Sequence, residues 1–137
     1  MRVFTREWLK ASTDDLLTIS KLLDDIHLTH IVAFHAQQSI EKSFKALLEE
    51  SESEIPKIHK LKKLYKQYFA EDFFCDEDLL SILDNLYIES RYPGDLGLLP
   101  EGKPTLENAI KFSNVANEIF TLVCSKVGVI KEELLDV

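Results

Sequence analysis

The chain has 137 residues, of which 45% are hydrophobic and 29% are charged, and its formal net charge is −8. This composition is typical of a globular protein and excludes fibrous and disordered classes. No apolar run approaches the roughly 18 residues that a membrane span requires, and nothing resembles a signal peptide, so we expect a cytoplasmic protein. The acidic balance argues against binding of duplex DNA through the overall field of the protein.

The period of the apolar residues is close to 3.6 almost throughout, which predicts an all-α protein. Most of the predicted helices are joined by short links, so we expect an antiparallel up-and-down helical bundle of four to five helices. This bundle would form a single domain, 1–137, with a C-terminal tail at 130–137. The predicted helices cover about 5–25, 28–50, three turns after Pro56, 76–91 and a long segment that begins after the N-cap Thr105.

Some positions within these helices are predicted to be buried because they share the apolar stripe. The stripe of the first helix includes Ile26 at its end, together with residues from Trp8 onward. The fourth helix is expected to bury apolar side chains at four positions: Leu79, Ile82, Leu83 and Leu86.

Metal binding is not favoured by any cluster of potential ligands. Cys75 and Cys124 have no spacing typical of zinc ligands, so we expect both to be small apolar core residues. Acid pairs such as Asp14 with Asp15 are expected on the solvent-exposed side of the first helix. We therefore expect neither a metal nor another cofactor.

Five lysines and no acid occur in "KIHKLKKLYK", residues 57–66. When these five of the 16 basic residues are set aside, the rest of the chain has 11 basic and 24 acidic residues, a net charge of −13. A solvated helix face is the simplest interpretation of this strip. Contact with phosphate, for which Lys62 is a candidate, is the alternative.

A stripe of Gln38, Lys42 and Lys45 follows the second helix opposite its apolar side, with Ile31 and Phe34 beside it. The three polar residues could face solvent, bind an anion or line a dimer interface. For the apolar pair we favour the dimer interface.

The segment "SRYPGD", residues 90–95, follows the fourth amphipathic pattern. Arg91 could pair with Asp84 and neutralise the end of the helix dipole. Alternatively, its guanidinium could bind phosphate while Tyr92 stacks on a base. The loop at 93–104 is rich in Gly and Pro and longer than a bundle usually needs, which is typical of functional loops.

Three stretches resemble the HEPN domain (higher eukaryotes and prokaryotes nucleotide-binding): "AFHAQQSIEKSFKALL" at 33–48, "HKLKKLY" at 59–65 and "ESRYPGD" at 89–95. The resemblance extends from the first helix to about Lys126. It implies a helical bundle that is commonly a homodimer and is often encoded beside a small nucleotidyltransferase. The function it implies is a nucleotide- or RNA-binding module that acts with that nucleotidyltransferase partner, for example in a toxin–antitoxin system.

Many HEPN domains are metal-independent endoribonucleases, which is the alternative that the resemblance implies. In these enzymes an arginine is followed after four to six residues by a histidine, and two such motifs meet at a dimer interface. Arg91 matches the arginine, but residues 96–98, where the histidine should fall, are Leu-Gly-Leu. Attack by a 2′-hydroxyl needs a base near neutral pH, so His59 or His35 would have to replace it, or Asp95 with a raised pKa.

Two sets of candidate site residues follow. Arg91 and His59 are the candidates for catalysis. The candidates for binding nucleotide or phosphate are Arg91, Tyr92, Asp95, Gln38, Lys42 and Lys62.

Overall fold

The structure is a computed structural model that describes residues 1–90 and 102–135, with the backbone alone at residues 89 and 90. Its helices are α1 (Val3–Leu22), α2 (Thr29–Glu50), α3 (Leu61–Leu64), α4 (Glu77–Ser90) and α5 (Leu106–Val127). α3 continues directly as a π-helical segment, Tyr65–Phe69, and single 3₁₀ turns cover Ile26–Leu28 and Lys131–Leu134. Since the described residues contain no strand, the prediction of an all-α bundle is confirmed. None of their helices is both long enough and apolar enough to cross a membrane.

α2 is the central helix of the bundle, and it packs against α1, α4 and α5. Its fully buried side chains include Val32, Ile40 and Phe44. The Phe44 ring lies 5.1 Å from that of Phe69 and 6.3 Å from that of Phe73, between ring centroids. These rings connect α2 to the chain that follows α3, and removal of their apolar surface from water stabilises that connection.

Small polar residues allow α1 and α2 to pack closely. The buried Ser12 hydroxyl lies 2.8 Å from the Ser39 hydroxyl and 3.0 Å from that of Ser43, and it donates a hydrogen bond to the Ser39 carbonyl. Because each hydroxyl has a partner, burial of these polar groups carries little desolvation penalty.

Local signals define both ends of α5. The hydroxyl of Thr105 accepts a hydrogen bond of 3.0 Å from the Asn108 amide, so the predicted N-cap is confirmed. At the other end, Gly128 adopts the left-handed region with φ 85°, and its amide donates to the Cys124 carbonyl. Glycine adopts this conformation without the steric cost that other residues incur.

Both cysteines lie in the core, as the sequence predicted. Burial raises the pKa of Cys75 and of Cys124 to about 11, which keeps both thiols protonated near neutral pH. They therefore behave as small apolar side chains.

Two residues predicted to be buried are exposed, Ile82 by 47% and Ile26 by 65%. In α4 the inward stripe contains Leu80 and Leu83, both fully buried, and Asp84 points inward with them. Ile82 lies about 200° around the helix from Asp84 and so faces outward. α1 ends at Leu22, which places Ile26 in the following 3₁₀ turn.

Replacement of Phe44 by alanine should lower the free energy of unfolding by about 3–5 kcal/mol, because it leaves a cavity in the core. Phe74→Ala provides a matched control, since Phe74 is 88% exposed, and should change stability by no more than about 0.5 kcal/mol. Urea denaturation followed by circular dichroism measures both. Equal losses in the two variants would contradict the central position of Phe44.

Candidate functional site

A cleft with a volume of about 540 Å³ lies between the α3 segment and α4. Four lysines of the strip predicted from the sequence line this cleft, which we call the lysine cleft. Its lining residues are Lys60, Lys62, Lys63, Lys66, Gln67, Ser81, Asp84 and Asn85. Within 1–90 and 102–135, no ion pair joins any of the four ammonium groups to a carboxylate. The cleft thus concentrates positive charge on an acidic protein.

Asp84 fixes the first turn of α3 from the side of α4. Its two carboxylate oxygens accept hydrogen bonds from the backbone amides of Leu61 (2.8 Å) and Lys62 (3.2 Å). The first amides of a helix lack partners within the helix, so the carboxylate supplies what α3 cannot. Burial raises the pKa of Asp84, and these two hydrogen bonds oppose the rise. The alternative in which Asp84 pairs with Arg91 involves a residue outside the described part of the chain and stays a prediction.

α2 holds His59, the residue before the first lysine of the cleft. The buried Gln37 amide donates to the His59 carbonyl at 2.9 Å. The His59 Nδ1 lies 3.1 Å from a Glu41 carboxylate oxygen, and the His59 side chain remains 67% exposed. The carbonyl of His59 is thus bonded to α2, and the backbone amides of Leu61 and Lys62 are bonded to α4.

Lys45, for which the sequence left solvent exposure, anion binding and a dimer interface open, is buried in the bundle. It is 5% exposed, and its Nζ lies 2.8 Å from a carboxylate oxygen of Glu41. The ammonium also lies 5.7 Å from the centre of the Trp8 ring. A cation in this position is stabilised by both the carboxylate and the aromatic face.

Asp15 was predicted to lie on the solvent-exposed side of α1, and this prediction is wrong. The residue is buried, with one oxygen 2.8 Å from the His35 Nδ1 and the other 2.8 Å from the Lys42 Nζ. Its neighbour Asp14 is exposed, because consecutive residues of a helix point about 100° apart. Asp15 therefore pairs with Lys42 inside the chain instead of contributing to a solvated acidic face.

Gln38 and Phe34 of the α2 stripe also have intramolecular contacts. The Gln38 amide donates to the Gln37 side chain at 2.7 Å. The Phe34 ring stacks on that of Tyr87 in α4, with 5.3 Å between centroids, and meets the His35 ring edge-on at the same distance. These contacts give Phe34 a role within the chain, while the predicted dimer interface stays a prediction.

The predicted site is brought together only in part within the described residues. Lys62 lines the lysine cleft and His59 precedes its first lysine, whereas Gln38 and Lys42 are not among the lining residues. Arg91, Tyr92 and Asp95 lie outside the described residues. In the part of the chain that is described, no three His, Cys, Asp or Glu residues are placed to hold a metal ion.

Sequence reasoning missed the side chains that support the cleft. Asp84 interrupts the apolar stripe of α4, and Gln37 and Glu41 lie among buried residues of α2. A polar residue at a core position is a signal that the residue is paired. The identity of its partner depends on tertiary packing, which this signal does not contain.

Replacement of Asp84 by alanine should lower the free energy of unfolding by about 1–3 kcal/mol, because the buried Leu61 amide loses its acceptor. Asn85→Ala changes the exposed neighbour in the same helix and should stay within about 0.5 kcal/mol of wild type. Urea denaturation gives the energies, and the amide resonances of Leu61 and Lys62 report the contact itself. A fully stable Asp84→Ala variant would show that α3 does not need this carboxylate.

Comparisons with known proteins place this fold in a family. The crystal structure of ST0689, an archaeal HEPN homologue, matches 93% of this chain and 99% of its own, with a TM-score of 0.69 and 25% sequence identity. The crystal structure of TT1696 from Thermus thermophilus matches 96% of this chain and 98% of its own, with a TM-score of 0.66 and 26% identity. Curated protein sequences gave no match. Since residues 5–127 match the HEPN domain, the chain belongs to the HEPN domain family.

Proposed function

We propose that this protein is a nucleotide- or RNA-binding HEPN module that acts with a nucleotidyltransferase partner. The observation that carries the proposal is the lysine cleft, where four ammonium groups gather without a carboxylate ion-pair partner in the described chain. Membership of the HEPN family supports a module related to nucleotides or RNA in general.

The chemistry of the lysine cleft suits phosphate oxygens. Ammonium groups form short, charge-assisted hydrogen bonds with phosphate, and these are stronger than bonds between neutral groups. Gln67, Ser81 and Asn85 add neutral donors beside the lysines. The net charge of −8 repels polyanions overall, so we assign their attraction to local clusters of cations such as this cleft.

The segment after α4 is assigned to the same function. Arg91 would bind a phosphate through its guanidinium, Tyr92 would stack on a base, and Asp95 would accept a hydrogen bond from the ligand. Gln38 and Lys42 would have to exchange their contacts within the chain for contacts with the ligand.

The association with other proteins rests on the family resemblance. A nucleotidyltransferase partner, a toxin–antitoxin role, homodimerisation and a cytoplasmic location all belong to this proposal. Phe34→Ala should weaken self-association if the α2 stripe contributes to the dimer interface.

Titration with a short mixed-sequence RNA, and separately with ATP, should shift the backbone amide resonances of residues 60–67 and 89–95 for at least one ligand. The physical reason is that a bound phosphate changes the electrostatic environment of nearby amides. The 3₁₀ turn at Lys131–Leu134, which does not line the lysine cleft, serves as an internal control and should not shift. The proposal would be abandoned if neither ligand moved the signals of either range.

A second candidate function is a metal-independent endoribonuclease whose composite site lies at a dimer interface. Two histidines in the structure each contact a carboxylate through Nδ1, His59 with Glu41 and His35 with Asp15. A carboxylate in this position orients an imidazole for use as a base. His59 is the better candidate because its side chain is 67% exposed, against 24% for His35. Arg91 would stabilise the charge on the phosphorane.

Incubation of mixed RNA with the protein in the presence of a chelator separates the two functions. For a ribonuclease, gels should show cleavage by wild type that falls by about 10²–10⁴-fold in His59→Gln, the loss expected for a general base, and that also falls in Arg91→Ala. His27→Gln alters another exposed histidine and should cleave like wild type. Intact RNA with wild-type protein would reject this second function and leave the binding module.

A further inference from the structure

We infer that the ligand of the lysine cleft is the sugar–phosphate backbone of a single-stranded nucleic acid and not a mononucleotide. This inference rests on the proposed function, because it assumes that the cleft binds phosphate groups. It goes beyond that function because the proposed function allows either a nucleotide or an RNA strand, and the inference selects the strand.

The lining of the cleft does not suit a nucleobase. It contains four lysines and four other polar residues, Gln67, Ser81, Asp84 and Asn85, and no aromatic or large aliphatic side chain. Bases are usually held by stacking on aromatic rings, which the lining of this cleft lacks. In this cleft, the phosphates of a mononucleotide would find ammonium groups, but its base would find no aromatic ring to stack on.

The arrangement of the charges suits several phosphates in succession. Lys62, Lys63 and Lys66 follow one another along the helical segment from Leu61 to Phe69, and Lys60 directly precedes it. Residues three or four apart on a helix are neighbours, with about 5–6 Å between their Cβ atoms. The cleft thus presents a row of cations, and a row matches the repeated charges of a strand.

The charge of the rest of the protein favours a single strand over a duplex. Outside residues 57–66 the chain has a net charge of −13. A duplex carries one negative charge per roughly 1.7 Å of its axis, twice the density of one strand, so it meets stronger repulsion around the cleft. Contacts with phosphate carry no sequence information, and binding should therefore depend little on base identity.

Fluorescence anisotropy with roughly ten-nucleotide strands, a length within the usual site sizes, tests this inference. Oligo(U) RNA, oligo(A) RNA and oligo(dU) DNA should bind with affinities within about threefold of one another, because none of their bases is read. Between about 50 and 200 mM salt, the log–log slope should be about −2 to −3, as three or four phosphate contacts require. ATP should not displace the strand at concentrations at which unlabelled strand does.

Charge variants locate the binding. Lys62→Gln combined with Lys66→Gln should weaken strand binding by about tenfold or more and make the slope shallower by about 1.4, since two phosphate contacts are lost. Lys21→Gln combined with Lys111→Gln changes the net charge equally at exposed sites outside the cleft and should leave the slope unchanged. Lys63→Gln combined with Lys66→Gln alters two exposed lysines and repeats the test if the half-buried Lys62 affects folding.

The outcomes distinguish this inference from the proposed function. Displacement of the strand by ATP, or a preference of more than about tenfold for one base, would overturn the inference and leave the nucleotide- or RNA-binding function standing. Strand binding that is insensitive to the lysine variants would overturn the assignment of the strand to this cleft. The absence of binding by strand and by ATP alike would overturn both.

Discussion

The buried carboxylate of Asp84 is the interaction on which the lysine cleft depends. α3 has only four residues, and a helix this short does not form in isolation. Its lysines also repel one another, because like charges three or four residues apart destabilise a helix. Asp84 holds the first two amides of this segment, and Gln37 holds the carbonyl that precedes them. Two longer helices thus impose a conformation that the segment would not adopt alone.

This anchoring determines what the cleft can do. Side chains on a fixed backbone lose less entropy when they bind a ligand than side chains on a mobile loop. The four lysines therefore extend from an anchored backbone and form a cationic surface on a protein of opposite net charge. Under the proposed function, such a cluster would steer a nearby anion into the cleft. The arrangement is also sensitive to ionic strength, since exposed charges are screened by salt.

Features encoded by neighbouring residues were predicted well from the sequence. Thr105 marks the start of α5, and the lysine strip is evident from residues 57–66 alone. Features that depend on distant partners were not. Asp15 was predicted to face solvent, but its partners lie on α2 and hold it inside the bundle. Ile82 was predicted to lie in the core, but in the packed bundle Asp84 faces inward and Ile82 faces outward. The sequence contains the polar residues that support the cleft, but the pairing between them arises only in the packed bundle.

The contacts between α1 and α2 also bear on the order in which the protein folds. Asp15 meets His35 and Lys42, and Ser12 meets Ser39, so these buried polar groups are paired within the helical hairpin of α1 and α2. The two helices are neighbours in sequence, and contacts between nearby segments form faster than distant ones. During synthesis they also leave the ribosome before α4 and α5. These polar groups can therefore be paired as soon as α1 and α2 pack together, before the later helices are available to cover them.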